Sequence, residues 1–110
     1  MSSRISTLAK KVKEHPDDSF YKFTLALEML KIDETSKARV LFEAIRNSDP
    51  EYVGVYYHLA KLYRDLGENK KAIETYKEGI KVAELQNDSH TKSELSAALL
   101  NLEIEIEDQS

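Results

Sequence analysis

Apolar residues recur along most of the chain at intervals of three and four positions, which is the spacing of one face of an α-helix. The first such run contains Ile5, Leu8 and Val12, and His15-Pro16 ends it because proline disfavours helical backbone at the preceding residue. No segment alternates apolar and polar residues for long enough to predict a strand. The pattern therefore predicts an all-α protein of about six helices.

Turn-forming residues divide this pattern into separate helices. We expect the second helix to begin at Pro16, since a proline at the first helical position loses no hydrogen bond, and to end near Lys31. Asp49-Pro50 carries the same start signal for the fourth helix, and Gly67 closes it. The remaining predicted helices cover about residues 35–47, 69–86 and 89–107.

The helical pattern also repeats at a fixed interval. Residues of the same kind or similar size recur 34 positions apart: Pro16 and Pro50, Leu25 and Leu59, Ala26 and Ala60, Ala38 and Ala72, and Phe42 and Tyr76. A period of 34 residues with two helices per period is typical of the tetratricopeptide repeat. On these residues the chain resembles the tetratricopeptide repeat family.

The resemblance covers about residues 17–86, and the second copy of the repeat carries it best. The first copy departs from the family pattern at Lys22, where a large apolar residue is usual, and has Asp33 where the second copy has Gly67. Small residues that let helices approach and large residues that fill the gaps give the expected structural core. That core consists of Leu25, Ala26, Ala38, Phe42, Pro50, Tyr56, Leu59, Ala60, Tyr63, Gly67, Ala72 and Tyr76.

The resemblance implies a single domain over residues 1–110, built as a short right-handed α-solenoid of antiparallel helix pairs. One repeat is too little to bury its own apolar face, so neighbouring helices have to stack on it. We expect an N-terminal half-repeat helix over residues 3–16, repeats over 17–50 and 51–86, and a C-terminal capping helix over 89–107.

Composition narrows the classes of function. The net charge is −4, so binding to a nucleic-acid backbone is not expected, and the chain contains no cysteine. The three histidines are far apart and lack the spacing of a metal site, and no glycine-rich phosphate loop or nucleophile motif occurs. No apolar segment reaches the length of a secretory signal or a membrane span. We expect a non-enzymatic cytoplasmic protein without metal, cofactor or small-molecule substrate.

In proteins that this chain resembles, the first helix of each repeat lines a concave groove that holds a peptide. The resemblance therefore implies a partner-binding groove formed by Phe20, Phe23, Leu27, Leu30, Tyr57, Lys61 and Arg64. The part from the first repeat is apolar, which predicts an apolar segment in the ligand. The expected function is to bind a partner protein or peptide through this concave face.

The helix that begins near Pro16 is apolar on nearly every side, and such a helix is normally covered all round. Three explanations are open for the face that contains Phe23 and Leu27. Another helix of the chain covers it, a partner peptide occupies it, or a second copy of the chain covers it in a homodimer. The last explanation makes self-assembly the alternative function.

Overall fold

The computed structural model describes residues 3–109, and within them the chain forms six α-helices and no strand. The helices are α1 (Ser3–Glu14), α2 (Ser19–Lys31), α3 (Thr35–Ser48), α4 (Gly54–Asp65), α5 (Asn69–Leu85) and α6 (Ser89–Gln109). The prediction of an all-α helical repeat fold is confirmed.

The helices group into two compact units, with the boundary between Tyr52 and Val53. In the first unit, α2 packs against both α1 and α3. In the second unit, α5 packs against both α4 and α6. The predicted single domain, with a half-repeat helix, two repeats and a capping helix, stays a prediction.

The first two helices run antiparallel. Arg4, near the start of α1, places Nε 3.3 Å from Oε2 of Glu28, near the end of α2. At the opposite end, the rings of His15 and Tyr21 have centroids 5.4 Å apart. Ile5, Leu8 and Val12 are half-buried while most other residues of α1 are exposed, so this apolar stripe is the side of α1 that packs on α2.

Three helices end with the same backbone motif. Asp33, Gly67 and Asn87 follow α2, α4 and α5, and their φ angles of 60°, 79° and 57° lie in the left-handed region. The backbone N–H of the next residue then reaches back to a carbonyl five positions earlier, as from Glu68 to Tyr63 at 2.8 Å. This arrangement satisfies carbonyl groups that a helix end would otherwise leave unpaired.

Two predicted helix starts are wrong. The helix predicted to begin at Pro16 begins at Ser19, because the carboxylate of Asp18 accepts the backbone N–H of Phe20 at 3.0 Å and caps the helix there. The fourth helix begins at Gly54, and Pro50 is exposed in the preceding turn. Each proline therefore lies in a turn, and Pro50 is not a core residue.

The cores of the two units contain most residues of the repeat pattern. The following ones are buried: Leu25, Ala26, Ala38, Phe42, Tyr56, Leu59, Ala60, Tyr63, Ala72 and Tyr76. Gly67, like Pro50, lies exposed in a turn. In the second unit, Gly79 allows a very close approach of helices, since a Cβ built at this position would lie 2.5 Å from Cβ of Tyr56.

Candidate protein-binding site

The predicted groove residues fall into two sets, one in each unit. Phe20, Phe23, Leu27 and Leu30 lie on one face of α2, because they are spaced by three or four positions. Phe20 is 58% exposed, and the other three are half-buried. No other part of the described chain covers Phe20, so coverage by a partner or by a second copy stays a prediction for this residue.

Phe23 belongs to an aromatic cluster of the first unit. Its ring centroid lies 5.9 Å from that of the buried Phe42 and 5.4 Å from that of Tyr52, and both pairs of rings are tilted. Phe20 makes an edge-on contact with Tyr21 at 5.8 Å. Offset and tilted rings at these distances attract each other beyond their apolar burial. The cluster therefore holds Phe23 in place on the same helix face as the exposed Phe20.

An open cleft of about 600 Å³ lies beside Phe20 at the start of α2. Its lining is Glu14, His15, Pro16, Asp17, Asp18, Ser19, Phe20, Asp49 and Tyr52. Burial raises the pKa of the Tyr52 hydroxyl, and the negative charges of Asp18 and Asp49 raise that pKa further. The cleft thus combines two aromatic rings with a negative electrostatic environment.

A hydrogen bond holds the floor of this cleft together. Ser19, the first residue of α2, donates its hydroxyl to Oδ2 of Asp49 at 2.7 Å. Asp49 follows the last residue of α3, so the bond joins the start of one helix to the end of the next. Since Ser19 is buried and the acceptor is a carboxylate, the bond is of the stronger kind.

The second set lies on one face of α4, where Tyr57, Lys61 and Arg64 have the same helical spacing. Tyr57 is 36% exposed and meets the ring of His58 edge-on at 5.5 Å. Nζ of Lys61 lies 3.3 Å from Oδ2 of Asp65, and Nε of Arg64 lies 3.5 Å from Oε1 of Glu105 in α6. Each cation thus has a carboxylate neighbour, which makes this face less positive than the sequence suggests.

Burial also affects the neighbouring histidine. The pKa of His58 is lowered, first because burial disfavours the charged imidazolium and second because of the positive charge of Lys61. His58 is therefore held neutral over a wider pH range than an exposed histidine. A neutral, half-buried imidazole serves packing in this part of α4.

Sequence reasoning did not single out the cleft or its residues Asp49 and Tyr52. In the sequence, Asp49 is only a helix start signal, and its partner Ser19 is 30 positions away along the chain. The one signal in the sequence is that the turns at Pro16 and Pro50, which are related by the repeat, both contain acidic residues. Only packing of α2 against α3 brings these turns to one place.

Other kinds of site receive no support within residues 3–109. In that range, no three histidine, aspartate or glutamate side chains are arranged to hold a metal ion. None of the helices in that range combines the length and the apolar character needed to cross a membrane.

Comparison with known proteins identifies the class of helical protein. The family model of the tetratricopeptide repeat matches residues 53–84, which include α4 and most of α5. A search of curated proteins found no match.

Solved structures extend the likeness over most of the chain. The solution structure of a tetratricopeptide repeat domain protein from Salinibacter ruber is 46% identical, covers 80% of this chain and 89% of its own, and has a TM-score of 0.77. A protein from Bordetella parapertussis, 22% identical, covers 96% of this chain and 91% of its own with a TM-score of 0.80. MamA, 21% identical, covers 94% of this chain and 69% of its own with a TM-score of 0.66.

The last two likenesses show the fold alone, whereas the first also shows the family. The fold is that of an all-α helical repeat protein. The chain belongs to the tetratricopeptide repeat family. Proteins built from this repeat generally mediate protein–protein interactions and are generally non-catalytic scaffolds.

Proposed function

We propose that the chain is a non-catalytic module that binds an apolar segment of a partner protein through the outer face of α2. This face consists of Phe20, Phe23, Leu27 and Leu30, and the face of α4 with Tyr57, Lys61 and Arg64 contributes contacts of its own. The observation that carries the proposal is the 58% exposure of Phe20 on a helix face whose next residue, Phe23, packs against Phe42 and Tyr52. The proposal includes a cytoplasmic location. It does not include a cofactor, a nucleic acid or a small-molecule substrate.

Phe20 is the expected anchor of the interaction. Covering a large aromatic side chain contributes about 2 kcal/mol to binding. The backbone of Phe20 is already held by the Asp18 cap, and α2 is held by the bond from Ser19 to Asp49. A preformed surface of this kind loses little conformational freedom on binding, so more of the contact energy contributes to affinity.

The carboxylates beside Phe20 define the second feature of the partner. Asp17, Asp18 and Asp49 line the adjoining cleft. A lysine or arginine next to the apolar residue of the partner would be attracted to these groups and would meet the face of an aromatic ring. We therefore expect a partner segment that contains an apolar residue flanked by a basic one.

The face of α4 supports a more limited role. Tyr57 offers an exposed ring with a hydroxyl group, which suits the polar rim of an interface. Arg64 would have to exchange its contact with Glu105 for one with the partner. The net gain from such an exchange is small, because a similar interaction is lost. Tyr57 is therefore the main contributor that we expect from α4.

The proposal is tested by selecting binders from a displayed library of random peptides and measuring their affinity for two variants. Phe20→Asp removes the anchor and adds a repulsive charge, while Val40→Asp changes another exposed apolar residue of the same unit, 66% exposed on α3. We expect selected peptides to contain an apolar residue next to a basic one. Their affinity should fall roughly tenfold or more for Phe20→Asp and little for Val40→Asp.

Two results would contradict this function. The first is that selected peptides bind Phe20→Asp as tightly as they bind the unchanged protein. The second comes from light scattering over a dilution series. A dimer that Phe20→Asp converts to a monomer would show that this face serves self-association, the alternative expected from the sequence. Phe20 suits these tests better than Phe23, because Phe23 packs on Phe42 and Tyr52 and its loss would also disturb folding.

A further inference from the structure

Helix α6 has apolar residues on two opposite sides. Leu95 and Leu102 are buried on the side that packs against α5. On the opposite side, Ala97, Leu100 and Ile104 are exposed, with fractional exposures of 57% for Leu100 and 49% for Ile104. Their spacing of three and then four positions forms a straight stripe along the helix.

The stripe is bordered by negative charge on both sides. A helical projection at 100° per residue puts Glu103 and Glu107 along one edge and Glu94 and Asp108 along the other. Residues 93–109 contain five acidic side chains and no lysine or arginine. The net charge of −4 also arises from residues 53–110 alone. They contain 7 basic and 11 acidic residues, whereas residues 1–52 contain 9 of each kind.

We propose that the stripe of Ala97, Leu100 and Ile104, with its acidic borders, docks a cationic amphipathic helix of a partner protein. The surface lies on α6 and shares no residue with the face of α2 described above. The proposal therefore does not rest on the proposed function of that face.

The spacing of the stripe explains why the partner is a helix. Apolar residues that alternate by three and four positions form the seam by which two helices pack side by side. A partner helix with the same spacing contacts the stripe along its length. An extended segment presents the side chains of one face about 6.6 Å apart, whereas successive residues of the stripe are about 4.5 to 6 Å apart. The side chains of an extended segment would therefore lose register with the stripe.

The charge explains why the partner is cationic and why a second copy of the chain does not fit. Two α6 helices packed along their stripes, in either direction, would bring carboxylates against carboxylates. The most basic helix of this chain is α1, but its apolar residues Ile5, Leu8 and Val12 already lie on the side that packs on α2. A partner helix with lysine or arginine on both sides of its own apolar stripe fits the shape and the charge together.

The test uses a synthetic peptide of about 20 residues, similar in length to α6. The peptide has leucine at the two seam positions of each heptad and lysine and alanine elsewhere. Two control peptides keep its length: one has glutamate in place of every lysine, and the other has its leucines moved off one face. Binding is measured by calorimetry with the 110-residue chain.

The decisive variant is Leu100→Lys combined with Ile104→Lys, two exposed positions where folding should be unaffected. Its matched control is Leu85→Lys, which changes an apolar residue that is 84% exposed at the end of α5. We expect saturable binding of the lysine peptide that falls roughly tenfold or more in the double variant and is unchanged in the control. Neither control peptide should bind comparably.

Charge reversal tests the second half of the proposal. With Glu103→Lys and Glu107→Lys together, the lysine peptide should bind at least about tenfold more weakly, and the glutamate peptide should gain affinity. Failure of the lysine peptide to bind, or binding that ignores Leu100 and Ile104, would overturn the proposal. A dimer of the unchanged chain that becomes a monomer in the double variant would overturn it in favour of a second copy.

Discussion

The first helices of the two repeats, α2 and α4, occupy the same places in the 34-residue period but are covered to very different extents. α4 buries six residues, and α2 buries three, one of which is Ser19. The contrast is clearest at one related pair, since Tyr63 is 2% exposed and Met29 is only half-buried. The same repeat position therefore supports the core in one unit and lies near the surface in the other.

The outer faces of these two helices differ in the opposite sense. Positions occupied by Phe20, Phe23, Leu27 and Leu30 in α2 correspond to Gly54, Tyr57, Lys61 and Arg64 in α4. α4 thus has a well-buried core side and a mostly polar outer side. α2 has fewer buried residues and an apolar outer side. Apolar surface that does not serve the core is available for a partner, and this difference is the physical basis for proposing α2 as the main binding face.

The largest expected effect comes from truncating the side chains of the related pair, Tyr63 and Met29. Tyr63→Ala should lower the free energy of unfolding by about 4 kcal/mol, because a large ring leaves a cavity in a tightly packed site. Met29→Ala should cost about 1 kcal/mol, since part of its side chain is already in water. Urea unfolding followed by circular dichroism measures both. Equal losses would show that the two repeats depend on this position alike.

Gly79 should give the next largest effect. A Cβ at this position would lie 2.5 Å from Cβ of Tyr56 and 2.9 Å from Cδ1 of Leu95, so Gly79→Ala forces α4 and α6 away from α5. We expect a loss of about 2 kcal/mol, confined to the second unit. The related position in the first unit is Ile45, which is a buried large residue. Amide hydrogen exchange would show which helices lose stability. A Gly79→Ala variant as stable as the unchanged protein would contradict the close approach of the helices at Gly79.

The turns after α2 and α4 offer a smaller test with opposite signs. Gly67→Ala adds no clash, since nothing lies within 4 Å, but it puts a side chain on left-handed backbone and should cost about 1 kcal/mol. Asp33→Gly relieves the same backbone cost at the related position. It should stabilise the first unit by about 0.5 kcal/mol, because added freedom of the unfolded chain offsets part of the gain. Thermal unfolding would show whether the shifts have these signs.

The smallest expected effect concerns His58, at a position that Thr24 occupies in the first repeat. Because the folded state lowers the pKa of His58, the unfolded chain binds this proton more readily, and stability is lost as the pH falls below the ordinary histidine range. Between about pH 7.5 and about pH 5.5, the unchanged protein should lose more stability than His58→Gln. If the stability of the two proteins depended on pH in the same way, the lowered pKa of His58 would make no contribution to it.

The periodic spacing of residues in the sequence was sufficient to predict much of the fold. The six helices follow from apolar spacing, and the repeat core follows from the recurrence of pairs such as Ala38 with Ala72 and Phe42 with Tyr76. Both depend on local spacing, which a sequence displays directly. Helix starts were less predictable: proline suits several turn positions, and the competing cap at Asp18 decided where α2 begins.

The candidate sites required the tertiary structure. The sequence by itself determined the fold class, the repeat and the apolar character of α2, because these are properties of neighbouring positions along one helix. Exposure of Phe20, the cleft between Asp18 and Asp49, and the uncovered stripe on α6 were decided by which helix packs on which. Such contacts join residues that are far apart in the chain, and no local pattern specifies which side of an apolar helix finds a partner.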